Sequence, residues 1–148
     1  MPNICLAVDA MGGDIGPEIN VPGSLAAARE TGAKIILVGD ESAIKAELSK
    51  HDHKGIALEI IHTTQIAGMA EKPSDILRRK KDSSMQVAFR LVREGKAHGV
   101  ITAGNSGAAL ACGMFILGRI NGVERPALAS ILPTLKNPIV LIDVGANA

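Results

Sequence analysis

Residues 99–118, GVITAGNSGAALACGMFILG, constrain the fold most, because this segment carries no charged side chain and changes character in its middle. The β-branched residues at positions 100–102 are typical of the end of a buried strand. Small and polar residues at 103–107 favour a tight turn, and residues 108–117 are good helix formers with apolar side chains at helical spacing. We therefore predict a strand, a glycine-rich turn and a helix, in that order.

The predicted turn contains the first candidate binding residues, Gly104, Asn105, Ser106 and Gly107. Free backbone N–H groups at a helix N-terminus stabilise a phosphate or carboxylate group, and the Asn and Ser side chains add polar atoms there. A turn with a purely structural role stays open as an alternative, because the sequence matches neither common phosphate-binding fingerprint. A membrane span is disfavoured, since the turn would expose polar backbone to lipid and no aromatic belt or basic loop flanks it.

Composition excludes several classes of function. The 148 residues suit a single domain with enough apolar content for a core, and the net charge of +1 gives no field that attracts nucleic acid. With two Phe and no Tyr or Trp, the chain has no platform for base stacking. Cys5 and Cys112 lie in apolar segments without Cys or His at metal-ligand spacing, so we expect buried free thiols and no metal site. No cofactor fingerprint or secretory signal is found, and we expect a cytoplasmic protein without a cofactor.

Short apolar runs alternate with helix-like segments along most of the chain. The predicted strands are 4–8, 34–38 and 57–61, and the predicted helices are 18–31 (with an early interruption at Pro22 and Gly23), 41–50 and 84–95. Such alternation indicates a parallel sheet with helices on both faces. Residues 133–138 are too few for a parallel crossover between the strand-like runs 127–132 and 139–142. The predicted fold is therefore a three-layer α/β/α architecture with a mostly parallel sheet and a late antiparallel strand pair.

Polar loops follow the first and the last predicted strand. The candidate residues are Asp9, Gly12, Gly13 and Asp14 in the first loop and Asp143 and Asn147 in the last. In open α/β sheets, ligands bind at the carboxyl ends of the strands, so both loops are candidate walls of a binding cleft. For the first loop a plain turn, with Asp14 capping the next helix, is the alternative.

The most polar part of the chain, residues 69–85, predicts a helix that begins at Pro73. Lys72 and Ser74 lie at the start of that helix. Four consecutive basic residues follow: Arg78, Arg79, Lys80 and Lys81. This run forms either a solvated helix face or a patch that meets an acidic partner or a phosphate group.

Six short motifs in a fixed order resemble the phosphate acyltransferases of bacterial phospholipid synthesis, the PlsX family. They are DAMGGD (9–14), EKPS (71–74), SSM (83–85), TAGNSGA (102–108), RPAL (125–128) with LPT (132–134), and DVGANA (143–148). The resemblance runs through the whole chain. Because family members are longer, it implies that residues 1–148 are one α/β domain from the N-terminal part of a longer enzyme, cut just after DVGAN.

The resemblance also implies an activity. The fold would be similar to that of the isocitrate and isopropylmalate dehydrogenases and of the phosphotransacetylases. The enzyme would move a fatty acyl group from acyl–acyl carrier protein to inorganic phosphate, and the acyl-phosphate would pass to a membrane acyltransferase. It would be a homodimer, associated peripherally with the inner face of the membrane through its C-terminal half.

This reaction gives each candidate residue an expected role. Asn105 and Lys72 are the candidate catalytic residues, with Lys72 as the cation that faces phosphate. Phosphate or the thioester oxygen would bind at the turn of residues 104–107 and near Ser74, in a cleft bordered by the two polar loops. The basic run of residues 78–81 would be the landing surface for the acidic carrier protein.

Two positions depart from the family pattern. Family members commonly have His-Ala-Pro where this chain has Ile15, Gly16 and Pro17, and commonly have Thr at the position of Ser106. Two other functions stay open: a phosphotransacetylase that acts on acyl-CoA, and a fragment without activity that associates with itself. A dehydrogenase of the same fold is disfavoured because no dinucleotide fingerprint is present.

Overall fold

Strands and helices alternate in the computed structural model, which describes residues 4–124 and 126–142. The elements are β1 (Cys5–Asp9), α1 (Pro17–Thr31), β2 (Lys34–Gly39), α2 (Glu41–Leu48), β3 (Leu58–His62), α3 (Pro73–Arg79), α4 (Ser84–Arg93), β4 (Gly99–Ile101), α5 (Ser106–Cys112), a π-helical segment (Gly113–Leu117), β5 (Ala129–Leu132) and β6 (Ile139–Ile142). The predicted order of strands and helices is confirmed, with boundaries that shift by one or two residues in most elements.

The main sheet has four parallel strands in the order β3-β2-β1-β4. The chain builds outward from β1 to β3, and then crosses back to place β4 on the other side of β1. Loops after β1 and β4 therefore leave the sheet towards helices on opposite faces. Such a switch point opens a crevice at the carboxyl ends of the two strands, where α/β proteins bind ligands.

Alternate residues of β2 face two different cores, as expected for a strand buried on both sides. Ile35 and Leu37 pack with α1 and α2 on one face, while Ile36 and Val38 pack with α4 on the other. A third cluster joins α3, α4 and α5 and includes Met85, which is completely buried. Helices thus cover both faces of the sheet, and the predicted three-layer architecture is confirmed.

Helix α1 corrects one prediction, because it runs without a break through Pro22 and Gly23. An internal Pro costs about 3 kcal/mol through the lost N–H and the clash with the preceding turn. Burial of Val21 and Leu25 against the sheet offsets this cost, since each such side chain contributes about 1.5–3 kcal/mol. The helix is capped at Gly16 without a side-chain bond, so Asp14 is not its cap.

Strands β5 and β6 form the predicted antiparallel pair, with Ala129 opposite Ile142. The pair is a separate two-stranded sheet rather than an extension of the main one. Ile131, Val140 and Ile142 are each more than 60% exposed. Within the described residues, no helix has both the length and the apolar character needed to span a bilayer.

A hydrogen-bonded pair ties the loop after β3 to the start of α4 and makes stability depend on pH. Asp82 accepts bonds from the Thr64 hydroxyl at 2.6 Å and from the Thr64 backbone N–H at 2.7 Å. These bonds, the hydroxyl bond first, hold the pKa of the Asp82 carboxyl below its usual range. The stabilisation is complete above about pH 4, where the unfolded carboxyl is ionised, and is lost as the pH falls through the lowered folded-state pKa.

We therefore expect Asp82→Asn to lower the urea midpoint of unfolding at pH 7 and to have a progressively smaller effect below pH 4. Thr64→Val, which removes the stronger of the two donors, should reproduce part of this change. Urea titrations between pH 2.5 and 7 check both. A constant difference between Asp82→Asn and the wild type across that range would contradict the assignment.

Candidate functional site

Asp9 links three segments at the switch point between β1 and β4. Its side chain is buried, and its Oδ1 accepts a bond from Ser84 Oγ at 2.6 Å. Its Oδ2 accepts a bond from Thr102 Oγ1 at 2.7 Å, and that hydroxyl oxygen accepts the backbone N–H of Gly104 at 3.0 Å. The end of β1, the first residue of α4 and the turn after β4 are thus held together by one carboxylate. Asp9 therefore has a positioning role and does not border the cleft as an accessible acid.

Asn20, in α1, holds the loop after β1 in place. Its Nδ2 donates to the carbonyl oxygens of Asp9, Ala10 and Gly12, at 3.4, 3.1 and 2.8 Å. Asn20 was not among the residues predicted from the sequence. The available signal was weak: Asn is a poor former of helix interiors, so an Asn within α1 indicates a side chain with another task.

Two glycines let the loops after β1 and β4 approach each other. A Cβ on Gly12 would lie 2.7 Å from Asp9 Oδ2 and 3.0 Å from the Gly104 nitrogen. A Cβ on Gly104 would lie 2.8 Å from Met85 Cε. Gly13 has a φ of +84°, a backbone conformation that glycine adopts without strain. The predicted residues Gly12, Gly13 and Gly104 are therefore brought together by the fold.

Asn105 fastens the glycine-rich turn to the segment before α3. Its Oδ1 caps α5 by accepting the Ala108 N–H at 2.9 Å. Its Nδ2 donates to the carbonyl oxygens of Met69 at 2.9 Å and Glu71 at 3.0 Å. The side chain is thus engaged with its own chain, and Lys72 follows directly after one of the residues that it holds.

The start of α3 lies against the start of α5. A Cβ on Gly107 would be 3.0 Å from Pro73 Cγ. Ser74 and Ser106 are both exposed at the first turns of these helices, and Lys72 is exposed at the N-cap of α3. Within the described part of the chain, no carboxylate pairs with the Lys72 ammonium, and no acceptor is found for the N–H groups of Ser106 and Gly107. The N-cap of α3, which carries Lys72, therefore lies next to the start of α5.

A cavity of about 250 Å³ opens beside the switch point. Gly12, Gly13 and Asp14 line it from the loop after β1, together with Ala103 from the turn and Met69 from the segment before α3. Asp14 is exposed there, unlike the buried Asp9. Both acids were predicted to border the cleft, but only Asp14 is exposed there. Asp143 and Asn147 lie outside the described residues, so their place at this edge stays a prediction.

The basic run does not form one uniform patch. Arg78, Arg79 and Lys81 are exposed. The Arg79 Nε lies 3.8 Å from Asp75 Oδ1. Lys80 is instead turned inward, where its ammonium pairs with Glu71 and donates to the Ile66 carbonyl oxygen at 2.7 Å. Lys80 therefore fixes the segment before α3, and only the other three basic residues present their charge to solvent.

No activated cysteine lies at the site. Cys5 and Cys112 are both buried free thiols, as predicted. Burial raises the pKa of the Cys112 thiol to about 11, so it stays protonated at neutral pH and is a poor nucleophile. Among residues 4–124 and 126–142, no group of three or more His, Cys, Asp or Glu side chains is arranged to hold a metal ion. Neither cysteine is therefore an activated nucleophile.

The contact between Gly12 and Gly104 gives a sharp stability prediction. We expect Gly12→Ala to lower the free energy of unfolding by about 1–3 kcal/mol, because the new methyl group overlaps Asp9 Oδ2 and a backbone nitrogen. Gly23→Ala is the matched control: Gly23 is exposed in α1, and its Cβ would meet nothing within 4 Å. That change should stabilise the fold by about 0.4–1 kcal/mol. Urea unfolding compares the two; equal effects would mean that the loops do not need their close approach.

Comparisons with known proteins identify the family of this chain. The family model described as "Fatty acid synthesis protein" matches residues 4–148. A phosphate acyltransferase from Oleidesulfovibrio alaskensis is 67% identical over 142 residues, which are 96% of this chain and 41% of that protein. Phosphate acyltransferases from Lawsonia intracellularis and Geobacter sulfurreducens are 62% and 51% identical, over 98% and 96% of this chain and 42% and 41% of their own lengths.

The chain therefore spans about two fifths of the length of these curated relatives. The family model covers every described residue, including both loops at the switch point and the helix that Asn105 caps. On this match, the chain belongs to the fatty acid synthesis protein family, and the three relatives named above are phosphate acyltransferases.

Proposed function

We propose that the protein containing this chain transfers a fatty acyl group from acyl–acyl carrier protein to inorganic phosphate. The observation that carries the proposal is the crevice between β1 and β4, where two glycine loops meet near the N–H groups of Ser106 and Gly107, which have no acceptor among the described residues. A tetrahedral anion needs close backbone approach and several donors, and glycines at a helix N-terminus supply both. The names of the relatives support phosphate as that anion.

The proposed chemistry needs no covalent enzyme intermediate. A phosphate oxygen attacks the thioester carbonyl, a C–O bond forms, the C–S bond breaks, and the departing thiolate takes up a proton. The protein's tasks are to position phosphate and to stabilise the negative charge that grows on the carbonyl oxygen. The N–H groups of Ser106 and Gly107 suit the second task, and the Ser106 hydroxyl adds a rotatable donor.

Lys72 suits the first task. Lys72 is exposed and follows Glu71, whose carbonyl oxygen accepts a hydrogen bond from Asn105. The chain segment that carries the cation is therefore tied to the turn that carries the donors. A lysine so placed offsets part of the phosphate charge without a metal ion.

The test is a donor comparison with the full-length protein. Acyl carrier protein and coenzyme A, each carrying the same acyl group, are supplied with inorganic phosphate, and acyl-phosphate is quantified. We expect the carrier-protein thioester to be used with the higher kcat/KM. Preference for the coenzyme A thioester would favour a phosphotransacetylase instead, and no product from either donor would refute the proposal.

The exposed basic residues Arg78, Arg79 and Lys81 are the proposed contact for the acidic carrier protein. We expect Arg79→Glu combined with Lys81→Glu to weaken carrier-protein affinity by about tenfold at low salt, and less at high salt, because exposed charges are screened. Lys45→Glu with Lys54→Glu is the control, since it makes the same charge change near α2. Titration calorimetry at two salt concentrations measures the effect; equal losses in both double variants would remove the patch from the contact.

The broader setting is also part of this proposal. The exposed apolar side chains of β5 and β6 supply a surface for the proposed homodimer. The acyl-phosphate product would be consumed by a membrane acyltransferase, and peripheral membrane association of the cytoplasmic protein would rest on segments beyond this chain. Sedimentation of the full-length protein checks the dimer.

A further inference from the structure

A groove separate from the switch-point cavity runs between α3 and the continuous helical stretch formed by α5 and the π-helical segment. Its volume is about 530 Å³, within the range of small-molecule sites. Its apolar walls are Leu77 from α3 and Ala111, Phe115 and Ile116 from the facing helix. None of these residues takes part in the phosphate chemistry proposed above.

One end of the groove lies beside the glycine-rich turn. Ser74 lines the groove from the first turn of α3, next to Pro73, which approaches Gly107 closely. From there the groove follows the facing helix past Ala111 to Phe115 and away from the turn. An elongated ligand would therefore have one end near the N–H groups of Ser106 and Gly107 and the rest along an apolar wall.

The polar residues of the groove are arranged to leave its length apolar. The Gln86 amide nitrogen donates to the carbonyl oxygens of Ile76 and Lys80, at 2.8 and 3.1 Å, so this group is occupied by the end of α3. Arg78 lies one turn after Ser74 on the same side of α3 and is exposed. The charge of Arg78 on one wall and the apolar residues along the groove suit an amphiphile whose head group is anionic or linked to the carrier protein.

The π-helical segment is a second, independent sign of function. π-Helices are rare, occur mostly as single turns and are frequent at functional sites. Here the π-helical turns carry Phe115 and Ile116, and Phe115 is 70% exposed although it is one of the two aromatic residues of the chain. An exposed aromatic side chain held over an apolar groove is suited to cover a ligand.

We infer that this groove binds the linear acyl chain of the donor, with the thioester carbonyl at the turn of residues 104–107 and the chain end towards Phe115. The inference rests on the proposed acyl transfer and adds the residues that select chain length. Ala111 follows Gly107 by one helical turn and precedes Phe115 by one turn, so a larger side chain there would limit how far the acyl chain extends.

The test uses the full-length protein with carrier-protein donors of 4, 8, 12 and 16 carbons. We expect Ala111→Phe to lower kcat/KM for the longest donor by at least about tenfold, and for the shortest by less than about threefold, because each excluded methylene forfeits its own burial. Phe115→Ser should also act mainly on the longer donors. Ile120→Ser, at an 80% exposed position outside the groove, is the matched control and should change no donor.

A loss that is equal for all chain lengths, or that comes with a lower melting temperature, would overturn the inference, since the groove would then be filled by protein rather than by substrate. Failure of the proposed function is recognised separately, as a wild type that forms no acyl-phosphate from any donor. In that case displacement of a fluorescent polyene fatty acid still decides: binding to the wild type that is lost in Ala111→Phe supports the groove, and equal or absent binding refutes it.

Discussion

Asp9→Ala is expected to lower the free energy of unfolding by about 3 kcal/mol and to reduce acyl transfer by more than about a hundredfold. The carboxylate accepts the hydroxyl bonds of Ser84 and Thr102, and without it Ser84, which is 1% exposed, keeps a buried donor with no partner. The Thr102 hydroxyl would also be free to turn away from the Gly104 N–H. The turn would then shift relative to the loop after β1, and small shifts of positioning groups are enough to slow a reaction strongly.

Asp14→Ala is the matched control for stability, because Asp14 is an exposed acid of the same loop. We expect its free energy of unfolding to stay within about 0.5 kcal/mol of the wild type. Asp9→Asn keeps the side-chain volume and one acceptor oxygen, so its free energy of unfolding should fall between those of Asp9→Ala and Asp14→Ala. Urea unfolding and an acyl-phosphate assay of the full-length protein measure both quantities. Equal stability of Asp9→Ala and Asp14→Ala would show that the buried bonds contribute nothing.

The sheet was predictable because each central strand carries its own signal. The run Lys34–Gly39 is apolar on both faces, and the stripe of Val87, Ala88 and Leu91 marks α4 as amphipathic. Where tertiary packing outweighs local preference, prediction failed: α1 passes through Pro22 because the side chains around it are buried. The π-helical turn after Cys112 was missed for a related reason, since a hydrogen bond from i to i+5 instead of i to i+4 barely changes an apolar pattern.

The site was predictable only at the level of loops. Parallel strands bring their carboxyl ends to one edge, so Gly12, Gly104 and the turn residues were expected to meet. The bond between Asp9 and Thr102 joins residues 93 positions apart, and no local pattern shows such a contact. The inward orientation of the Lys80 side chain was unpredictable for the same reason, because a run of basic residues does not show which side chain faces Glu71.

Substitution of Asn105 separates two tasks of one side chain. Asn105→Ala removes the cap of α5 and both bonds to the segment before α3. We expect it to lower the free energy of unfolding by about 2–3 kcal/mol and to remove most of the activity. Asn105→Asp keeps an acceptor for the Ala108 N–H and adds a charge that the helix N-terminus favours. It cannot donate to Met69 and Glu71, and its carboxylate would repel their carbonyl oxygens.

We therefore expect Asn105→Asp to lose less stability than Asn105→Ala but to lose activity about a hundredfold, mainly through a higher KM for phosphate. A double-mutant cycle with Lys72→Ala shows why. If Asn105 acts by holding the segment that carries Lys72, the double variant loses little more activity than Lys72→Ala alone. Additive losses would mean that the Asn105 amide contacts the substrate itself. Wild-type rates in Asn105→Asp would contradict the proposal that Asn105 acts by positioning Lys72. The side chain that caps the helix and the cation beside it are thus tested as one unit.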